Sequence, residues 1–454
     1  MKNQFLDFLS SGVPVIFDGA MGTQIQKFSL PEECFQGAPG CNEILNLSSP
    51  KTIIAVHEEY LNAGVNVIET NTFGASRPKL EQYGLGAKVY EINKAAASIA
   101  RQAADQYKSK QAVFVCGSMG PTGYLPSSRD ESLGKITFDQ LTEIFQEQAE
   151  GLLDGGVDIL LIETSQDLLE ARAAMIGIKR LLERKGVFVP IQVQITIDST
   201  GRMLLGSGID SFLGTISGIG PSVVGLNCGT GPSEILPYLK KLLELSPFPV
   251  SALPNAGVPR NVDGNAVYNM SPEDFAEALV PLVTEHGLEI VGGCCGTTPD
   301  HIAQLAKKLK GKKVARRKKP ESFCWLSTSI GGIDLESAKK PLIIGERLNT
   351  QGSRKTKELV FAEDFEELSQ IALEQKAAGA AVLDLCVAIT EKDNEAEIMG
   401  KLVRHLSDRI ETPFCIDSTD PSVLLTALKS NPGSVMLNSI NLEDGGVKAE
   451  KILQ

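Results

Sequence analysis

The sequence is poor in the features that mark membrane, secreted and nucleic-acid-binding proteins. No stretch of its 454 residues approaches 18 consecutive apolar side chains, so no membrane span is expected. The first eight residues lack the basic start and long apolar core of a secretory signal. The net charge of -12 argues against nucleic acid as the main partner. Histidine is also scarce, with 4 residues.

Cysteine, in contrast, occurs 9 times. An odd number of cysteines without a secretory signal indicates a reducing compartment, here taken as the cytoplasm, where thiols serve as ligands or nucleophiles. Because histidine is scarce, any metal site would have to be rich in thiolates. The hydrophobic content of 42% is that of a globular protein. The length predicts two domains, or one large barrel and a partial one.

Short apolar runs alternate with segments of helical periodicity, a pattern typical of parallel strands joined by crossover helices. Eight strands are predicted, at Val15–Asp18, Val67–Thr70, Val113–Ser118, Asp158–Thr164, Ile191–Asp198, Val223–Cys228, Val250–Asn255 and Glu289–Cys295. Eight such units within residues 1–310 indicate a complete (β/α)8 barrel, an α/β fold of the TIM type. A doubly wound sheet is less consistent, because the first strand is not followed by a G-x-G-x-x-G fingerprint.

A basic run at residues 311–320 interrupts this pattern and predicts a solvated linker. A second β/α series follows over residues 321–454, with strands predicted at Leu342–Arg347, Ala381–Cys386, Pro413–Asp417 and Ser434–Asn438. Four strands cannot close a barrel. We therefore expect the first half of a second barrel, in a fragment of a longer polypeptide or in a chain that a partner completes.

Three cysteines follow strands whose carboxyl ends meet at one mouth of the predicted barrel. Cys228 ends the sixth strand, and the adjacent Cys294 and Cys295 end the eighth. Three thiolates suit Zn2+ and leave a fourth position open, as in catalytic zinc sites. A strained disulfide between the adjacent pair, or burial as small apolar side chains, stays open as an alternative. The other six cysteines are interpreted as structural.

The motifs at the strand ends resemble those of a known family. In order, they are Asp18-Gly19-Ala20-Met21-Gly22-Thr23, Glu69-Thr70-Asn71-Thr72-Phe73-Gly74-Ala75, Gly120-Pro121-Thr122-Gly123, Asn227-Cys228-Gly229, Pro254-Asn255-Ala256-Gly257 and Gly292-Gly293-Cys294-Cys295-Gly296-Thr297-Thr298-Pro299-Asp300-His301-Ile302. Together they resemble the homocysteine-binding barrel of the cobalamin-dependent methionine synthases, over residues 1 to about 310.

The second series resembles the pterin-binding module of the same family. The similar stretches are Ile344-Gly345-Glu346-Arg347-Leu348-Asn349, Leu383-Asp384, Ile416-Asp417-Ser418 and Leu437-Asn438-Ser439. The resemblance implies that Glu346, Asn349, Asp384, Asp417 and Asn438 contact the methyltetrahydrofolate donor. One departure is Cys386, which stands where the family usually has asparagine and lacks the paired donor and acceptor of an amide.

The resemblance implies a zinc-dependent homocysteine S-methyltransferase. The methyl group would pass from methyltetrahydrofolate through cobalamin to the homocysteine thiolate at the zinc, giving methionine. Cys228, Cys294 and Cys295 would be both the metal ligands and the catalytic residues. No histidine stands in the D-x-H-x-x-G motif of cobalamin domains, so the cobalamin would be carried by a domain or partner absent from this chain.

The resemblance also suggests how homocysteine would be held. Asp18 and Glu163 are the candidates for its ammonium group, and backbone N–H groups near Gly22, Ser118 and Gly120 are the candidates for its carboxylate. Phe73 would line the apolar stem. The remaining candidates are Thr70, Asn227 and Asn255.

Three other functions are weighed against this one. A stand-alone thiol methyltransferase with another methyl donor would share the zinc barrel but would not need the pterin-like series. A non-catalytic fragment of a split gene, completed by a partner, is a second possibility. An aldolase- or decarboxylase-like barrel is disfavoured because no lysine stands suitably near a strand end.

Overall fold

The first part of the chain is a closed barrel of parallel strands. The fold is given by a computed structural model, which describes residues 3–108, 111–262, 265–320, 323–440 and 445–453. The barrel strands are β1 (Val15–Ile16), β2 (Val67–Glu69), β3 (Phe114–Met119), β4 (Ile159–Ser165), β5 (Ile191–Ile195), β6 (Val223–Asn227), β7 (Val250–Leu253) and β10 (Ile290–Val291). They pair in the order β1-β10-β7-β6-β5-β4-β3-β2, and a parallel bridge between Phe17 and Val67 joins the two ends. The predicted (β/α)8 barrel is confirmed.

Helices pack around this barrel and connect its strands. They are α1 (Gln4–Leu9), α2 (Gly22–Gln26), α3 (Leu45–Ser48), α4 (Pro50–Ala63), α5 (Arg77–Glu81), α6 (Val89–Gln106), α7 (Glu131–Gly134), α8 (Phe138–Asp154), α9 (Leu168–Lys185), α10 (Ile209–Ile216), α11 (Pro232–Leu245), α12 (Pro272–Thr284) and α13 (Pro299–Leu309). A short antiparallel hairpin, β8 (Arg260–Val262) with β9 (Asn265–Val267), lies in the loop after β7. The sequence did not indicate this hairpin.

Residues of each barrel strand alternate between two apolar cores. In β2, Val67 belongs to the cluster inside the barrel, with Val15, Phe114 and Ile159. Its neighbour Ile68 belongs to the larger cluster between the strands and the helices. Because side chains alternate along a strand, the residue after Ile68 turns inward again. This alternation directs polar side chains at the strand ends into the mouth of the barrel.

The basic segment after the barrel is bound to it rather than free in solvent. Arg317 donates hydrogen bonds from Nη1 to the carbonyl oxygens of Leu243 (3.0 Å) and Ser246 (2.7 Å). The backbone N–H of Ala315 also donates to the carbonyl oxygen of Val283 (2.9 Å). The other basic side chains of residues 310–319 are exposed. The prediction of a solvated linker is therefore wrong for the backbone, because one arginine satisfies carbonyl groups at the end of α11.

The second part of the chain forms an open parallel sheet. Its strands are β13 (Ile344–Asn349), β14 (Val382–Cys386), β15 (Phe414–Asp417) and β16 (Met436–Asn438), paired in that order. Its helices are α14 (Arg354–Ala362), α15 (Phe365–Ala377), α16 (Glu395–Ser407), α17 (Pro421–Ser430) and α18 (Val447–Leu453). A separate hydrophobic core supports it. The four strands match the predicted half barrel, whereas α14 was not predicted.

A hairpin and one partly buried arginine join the two parts. The hairpin, β11 (Trp325–Ser327) with β12 (Gly332–Asp334), packs on α10, and its Ser327 N–H donates to the carbonyl of Ser434 (2.9 Å). Arg172 on α9 donates from Nη1 to the carbonyl oxygens of Leu428, Asn431 and Gly433 at 3.0, 2.8 and 3.1 Å. The guanidinium thus satisfies backbone carbonyl groups at the end of α17, which would otherwise be buried without donors.

None of the helices within the described ranges is long and apolar enough to cross a membrane.

His57 on α4 should make the fold sensitive to acid. Its side chain is fully buried, and neither ring nitrogen has a hydrogen-bond partner among the described residues. Burial lowers the pKa of His57 from 6.5 to about 4. The unfolded chain therefore takes up this proton first, so the contribution of His57 does not change with pH above about 6.5 and becomes progressively more destabilising as the pH falls towards 4.

We expect His57→Leu to remove this acid sensitivity. Between pH 7 and pH 4 the wild type should lose up to about 3 kcal/mol relative to the variant. Urea unfolding of both proteins across this range measures the difference in unfolding free energy. Because both proteins carry the same carboxyl groups, the contribution of these groups cancels in the difference. A constant difference in unfolding free energy at all pH values would contradict the assignment.

Candidate functional site

A cavity of about 340 Å3 opens at the carboxyl ends of the barrel strands. Polar and thiol side chains from the ends of β1, β2, β3, β4, β6 and β10 line it together with apolar surface. The lining residues include Asp18, Glu69, Thr70, Phe73, Ser118, Glu163, Thr164, Asn227, Cys228, Cys294 and Cys295. In a (β/α)8 barrel this face carries the active site. The structure therefore brings together nearly all the residues that the sequence predicted for the substrate and the metal.

The three predicted cysteine ligands lie together in this cavity. Their sulfur atoms are all within 4.8 Å of one another, and Cys295 Sγ lies 3.9 Å from Cys228 Sγ and 4.0 Å from Cys294 Sγ. All three are free thiols. The structure thus holds no disulfide between the adjacent pair, and the side chains line a cavity rather than a core.

The backbone around the cysteines is shaped to point all three sulfurs inward. Cys228 itself has a positive φ of 58°, which a non-glycine residue adopts only where its surroundings hold it. Gly296, with a φ of 77°, passes so close to Tyr268 that an added Cβ would lie 2.2 Å from its ring. A side chain at Gly296 would therefore displace Tyr268 from the site.

Tyr268 and the neighbouring thiols favour a negative charge on Cys295. Hydrogen bonds from Cys228 and Cys294, and a further one from the Tyr268 hydroxyl, lower the pKa of Cys295 to about 3. The hydrogen bonds to Cys228 and Cys295, together with burial, raise the pKa of Cys294. One thiolate is thus stabilised by protons on its neighbours, and a cation would be needed before all three could ionise.

The donor set fits zinc. Tetrahedral coordination with Zn–S bonds of about 2.3 Å requires sulfurs roughly 3.8 Å apart, close to the separations of 3.9 and 4.0 Å found here. Three sulfur ligands would leave one tetrahedral position open towards the cavity. Among the described residues, this is the one group of three or more histidine, cysteine or carboxylate ligands close enough to hold a metal ion.

Three carboxyl groups, two buried and one partly buried, line the same cavity as the thiols. Asp18, Glu69 and Glu163 come from three neighbouring regions of the barrel mouth. Burial raises the pKa of Asp18 and Glu69, and raises the pKa of Glu163 to about 7. Repulsion among the three adds to this effect. Such a cluster favours a cationic ligand that would neutralise it.

Asn227 ties the carboxyl groups to the cysteine site. Its Nδ2 donates to Glu163 Oε2 (3.2 Å) and to Thr164 Oγ1 (2.7 Å), and its Oδ1 accepts from the N–H of Thr164 (2.8 Å). Thr164 has a positive φ of 56°, which is strained for a β-branched residue. Because Asn227 precedes Cys228 directly, one amide positions the end of β4 relative to a metal ligand.

The predicted binding of a carboxylate by backbone N–H groups is only partly possible. The N–H of Ser118 already donates to Thr70 Oγ1 (3.0 Å), and the N–H of Gly120 already donates to the carbonyl of Phe73 (3.1 Å). The expectation is wrong for these two groups, because the strand-end loops use them internally. Gly22 remains, since it begins α2, where N–H groups have no partner within their own helix.

The other predicted substrate residues, Thr70, Phe73 and Asn255, lie in three different environments. Thr70 is buried, and its hydroxyl bonds to that of Thr72 (2.6 Å). Phe73 lines the cavity and is 45% exposed, so an apolar surface is open to a ligand. Asn255 does not line the cavity, although its buried Oδ1 has no partner among the described residues. Its peptide follows Pro254, whose carbonyl accepts from the N–H of Cys294 (2.9 Å).

The predicted pterin residues meet at the end of the second sheet. Asn349 Nδ2 donates to Asp384 Oδ2 (2.8 Å) and Asp417 Oδ2 (3.0 Å), and Asn438 Nδ2 donates to Asp417 Oδ1 (3.1 Å). Glu346 is exposed on β13. Burial raises the pKa of Asp384. The structure thus links four of the five predicted residues directly.

Cys386 lies at the buried end of β14. Thr350 donates a weak hydrogen bond to its sulfur at 3.8 Å, and Thr350 also bonds to the carbonyl of Ala388 (2.8 Å). The thiol therefore belongs to the packing between the ends of β13 and β14.

In a comparison with known proteins, each of the two parts of the chain matches a protein family. Residues 15–309 match the homocysteine S-methyltransferase family. The chain belongs to this family. Residues 345–454 match the pterin-binding enzymes, so this family member carries a homocysteine methyltransferase barrel followed by pterin-binding sequence.

Two curated relatives contain both parts. The chain is 39% identical over 445 residues to a methionine synthase of Mycobacterium tuberculosis, and 38% identical over 436 residues to that of Mycobacterium leprae. These alignments cover 97% and 95% of this chain but 36% of each relative. The chain thus spans about a third of the length of these methionine synthases.

Among solved structures, the barrel is similar to the homocysteine methyltransferase MmuM from Escherichia coli. Its metallated form superposes with a TM-score of 0.53 at 22% identity, covering 67% of this chain and 99% of that one. The oxidised form gives the same TM-score at 21% identity. At this identity the likeness shows the fold alone.

Reasoning from the sequence missed several residues of the site, among them Glu69 in the cavity wall and Tyr268 beside Cys295. Glu69 was part of a motif but was not selected, although its position two residues after inward-facing Val67 could have indicated an inward carboxyl. Tyr268 gave no signal, because it approaches Cys295 from the hairpin after β7. Loop residues brought in from a distance cannot be read from strand periodicity.

We expect Asn227→Ala to lower the free energy of unfolding by roughly 2 to 4 kcal/mol, since it removes three buried hydrogen bonds. The loss should be smaller in a Thr164→Gly background, where a positive φ carries no strain and the Oγ1 acceptor of one of the three bonds is absent. Denaturant unfolding of the two single variants and the double variant measures this coupling. Strictly additive losses would contradict the role assigned to Asn227.

Proposed function

We propose that this chain is the homocysteine- and folate-binding portion of a methionine synthase. In this proposal its barrel binds homocysteine for methylation at sulfur, with methyltetrahydrofolate as the methyl source and cobalamin as the carrier. The single observation that carries the proposal is the convergence of Cys228, Cys294 and Cys295 on one cavity that also presents buried carboxyl groups. The family match and the methionine synthase relatives support it.

Cys228, Cys294 and Cys295 would hold the zinc ion. When bound, zinc would lower the pKa of the substrate thiol, so that the thiolate exists at neutral pH. Other features of the protein shape the site around these ligands. Tyr268 stabilises charge on Cys295, and the strained backbone at Cys228 fixes the direction of its sulfur.

The cavity would orient homocysteine by its two charged ends. Buried carboxyl groups at Asp18 and Glu163 would face the ammonium, and the start of α2 at Gly22 would face the carboxylate. Phe73 would cover the apolar stem and keep water from it. This arrangement leaves the sulfur directed to the cysteines.

The carrier of the methyl group would lie outside these residues. The curated relatives are nearly three times as long as the matched region, which leaves room for a cobalamin-binding domain. A partner protein could also supply it. We place the reaction in the cytoplasm, where the free thiols would stay reduced.

The second sheet would bind the pterin ring through Asn349, Asp384, Asp417 and Asn438. An amide between two carboxylates presents fixed acceptors at the strand ends. A stand-alone thiol methyltransferase would not require this arrangement, which is why we prefer the folate-linked reaction.

Zinc and thiol binding test the proposal. The purified chain should contain close to one zinc per molecule, and Cys228→Ala, Cys294→Ala or Cys295→Ala should each lose it, because two sulfurs cannot complete the site. Cys324→Ala, at an exposed thiol away from the cavity, is the matched control.

Homocysteine should bind the zinc-loaded chain with release of a proton, as titration calorimetry in buffers of different ionisation enthalpy measures. Metal-free protein that binds homocysteine with equal affinity and equal proton release would refute the proposed role of the cysteines.

The folate assignment has its own test. Asp384→Asn should weaken the binding of methyltetrahydrofolate about tenfold or more, because it removes a charged acceptor at the strand end. Asp393→Asn removes the same charge from an exposed loop and should leave binding unchanged. Fluorescence or calorimetric titration measures both, and equal affinities for wild type and Asp384→Asn would rule out this contact.

A further inference from the structure

A cleft lies between the first barrel and the second sheet, and its described lining residues are all different from those of the cysteine cavity. Two adjoining cavities of about 480 and 940 Å3 form this cleft. One wall is the loop after β3 with the start of α8, and the other is mainly α16 and α17. The residues that line both cavities are Ser128, Arg129, Arg404, Thr426 and Ser430. Each cavity has room for a small organic molecule.

The lining of the cleft is positively charged, in contrast to the chain as a whole. Six of its described residues are lysine or arginine and three are aspartate or glutamate, although the net charge of the chain is -12. The basic residues are Arg129, Lys135, Lys401, Arg404, Arg409 and Lys429, and the acidic residues are Asp139, Glu397 and Asp408. A cleft with this excess of cations attracts anions.

Each acidic residue of the lining already forms an ion pair with a basic one. The pairs are Asp408 with Arg129 (2.6 Å) and Arg409 (3.2 Å), Asp139 with Lys429 (2.7 Å), and Glu397 with Lys401 (2.7 Å). The guanidinium of Arg404, in contrast, has neither an ion pair nor a hydrogen bond among the described residues. An exposed arginine without a partner is ordinary by itself, so a second feature of the cleft has to indicate a ligand.

That second feature is a buried hydroxyl group without a partner. Ser430, the last residue of α17, is only 6% exposed and lines both cavities. Its hydroxyl makes no hydrogen bond within the described part of the chain. Buried hydroxyl groups normally have a partner, because leaving them without one is costly. The hydroxyl of Ser430 is therefore available to an acceptor in the cleft.

Both walls of the cleft are held in place without a ligand. Gly400 on α16 keeps the space beside α17 open, since an added Cβ would lie 2.9 Å from Thr426 Cγ2 and 3.2 Å from Ser430 Oγ. On the opposite wall, the buried Asp167 accepts from the N–H (2.7 Å) and the hydroxyl (2.8 Å) of Ser127. This pair of bonds fixes the loop that carries Arg129.

The available donors suit a phosphate group. Arg129 uses Nε to bind Asp408, which leaves its two Nη groups without a partner among the described residues. Arg129 belongs to one wall, whereas Arg404 and Ser430 belong to the other, so the ligand should present oxygens on more than one side. A phosphate monoester has three terminal oxygens, and a guanidinium donates to two of them in parallel.

The size of the cleft indicates a phosphate ester rather than the bare ion. A water molecule takes about 30 Å3 of liquid, and a phosphate ion is only a few times larger. Both cavities therefore leave space beside the ion. Apolar side chains line this space, namely Phe365 in the smaller cavity and Ile136 and Phe138 in the larger one.

We propose that the cleft between the barrel and the second sheet binds a small phosphate ester, with Arg404, Ser430 and Arg129 as donors to its phosphate group. The organic part of the ester occupies one of the two cavities. This site goes beyond the proposed function, and neither zinc nor homocysteine takes part in it.

Titration calorimetry of the full chain at constant ionic strength tests this site. The probes are inorganic phosphate, AMP as a phosphate ester, and adenosine, which lacks the phosphate. Arg404→Gln removes the uncompensated charge, and Ser430→Ala removes the buried hydroxyl alone. Arg354→Gln is the matched control, because Arg354 is an exposed arginine of α14 outside the cleft.

We expect the wild type to bind one phosphate or one AMP per chain, AMP at least as tightly as phosphate, and adenosine at least tenfold more weakly than AMP. Arg404→Gln should weaken both phosphate compounds about tenfold or more, because a charged donor is lost. Ser430→Ala should weaken them about 3- to 10-fold, because a neutral donor is lost. Arg354→Gln should bind as wild type does.

The absence of saturable binding of both phosphate compounds by the wild type would overturn the proposal. Wild-type affinity in Arg404→Gln would also overturn it, since Arg404 would then act only on the negative end of α16. If that variant does not fold, undiminished binding by Ser430→Ala has the same meaning. An equal loss in Arg354→Gln would show non-specific attraction, and exclusion of AMP while phosphate binds would refute the ester.

Discussion

The site depends on the hydrogen bonding that closes the first sheet between Phe17 and Val67. In an open sheet of the same order, β1 and β2 would be the two outer edges. Closure makes them neighbours, so the N–H of Asp18 reaches the carbonyl of Val67 (3.1 Å) and Asp18 accepts from Glu69. The same closure turns the ends of β6 and β10 towards one mouth and brings Cys228 to Cys294 and Cys295.

The convergence of carboxyl and thiol groups on one cavity destabilises the fold. Burial and mutual repulsion raise the pKa of Asp18 and Glu69, and burial raises the pKa of Glu163 to about 7, so the cavity disfavours charge on all three carboxyl groups. The thiols face a similar conflict, since only Cys295 is stabilised as a thiolate. A cation at the sulfurs and an ammonium at the carboxyl groups would relieve both conflicts. Ligand binding should therefore stabilise the fold by mass action as well as fill the site.

The sequence predicted those features that follow from local periodicity. Apolar runs located all eight barrel strands, and motifs at their ends located Cys228, Cys294 and Cys295. Features that depend on which donor meets which acceptor were not predictable. Glu69 is an example, since nothing in the sequence indicates that its Oε1 is buried without a donor among the described residues. Arg317 likewise contradicts the solvation that its basic neighbours predict, because carbonyl groups after α11 need donors.

Both halves of the chain use an asparagine to hold carboxyl groups at strand ends. Asn227 on β6 donates to Glu163, and Asn349 on β13 donates to Asp384 and Asp417. A lysine or arginine would fix the same carboxylates more strongly, but its charge would compete with a cationic or hydrogen-bonding ligand. A neutral amide occupies one lone pair and leaves the negative charge in place. The carboxyl groups are thus positioned without being neutralised, so that their remaining acceptors stay available to a ligand.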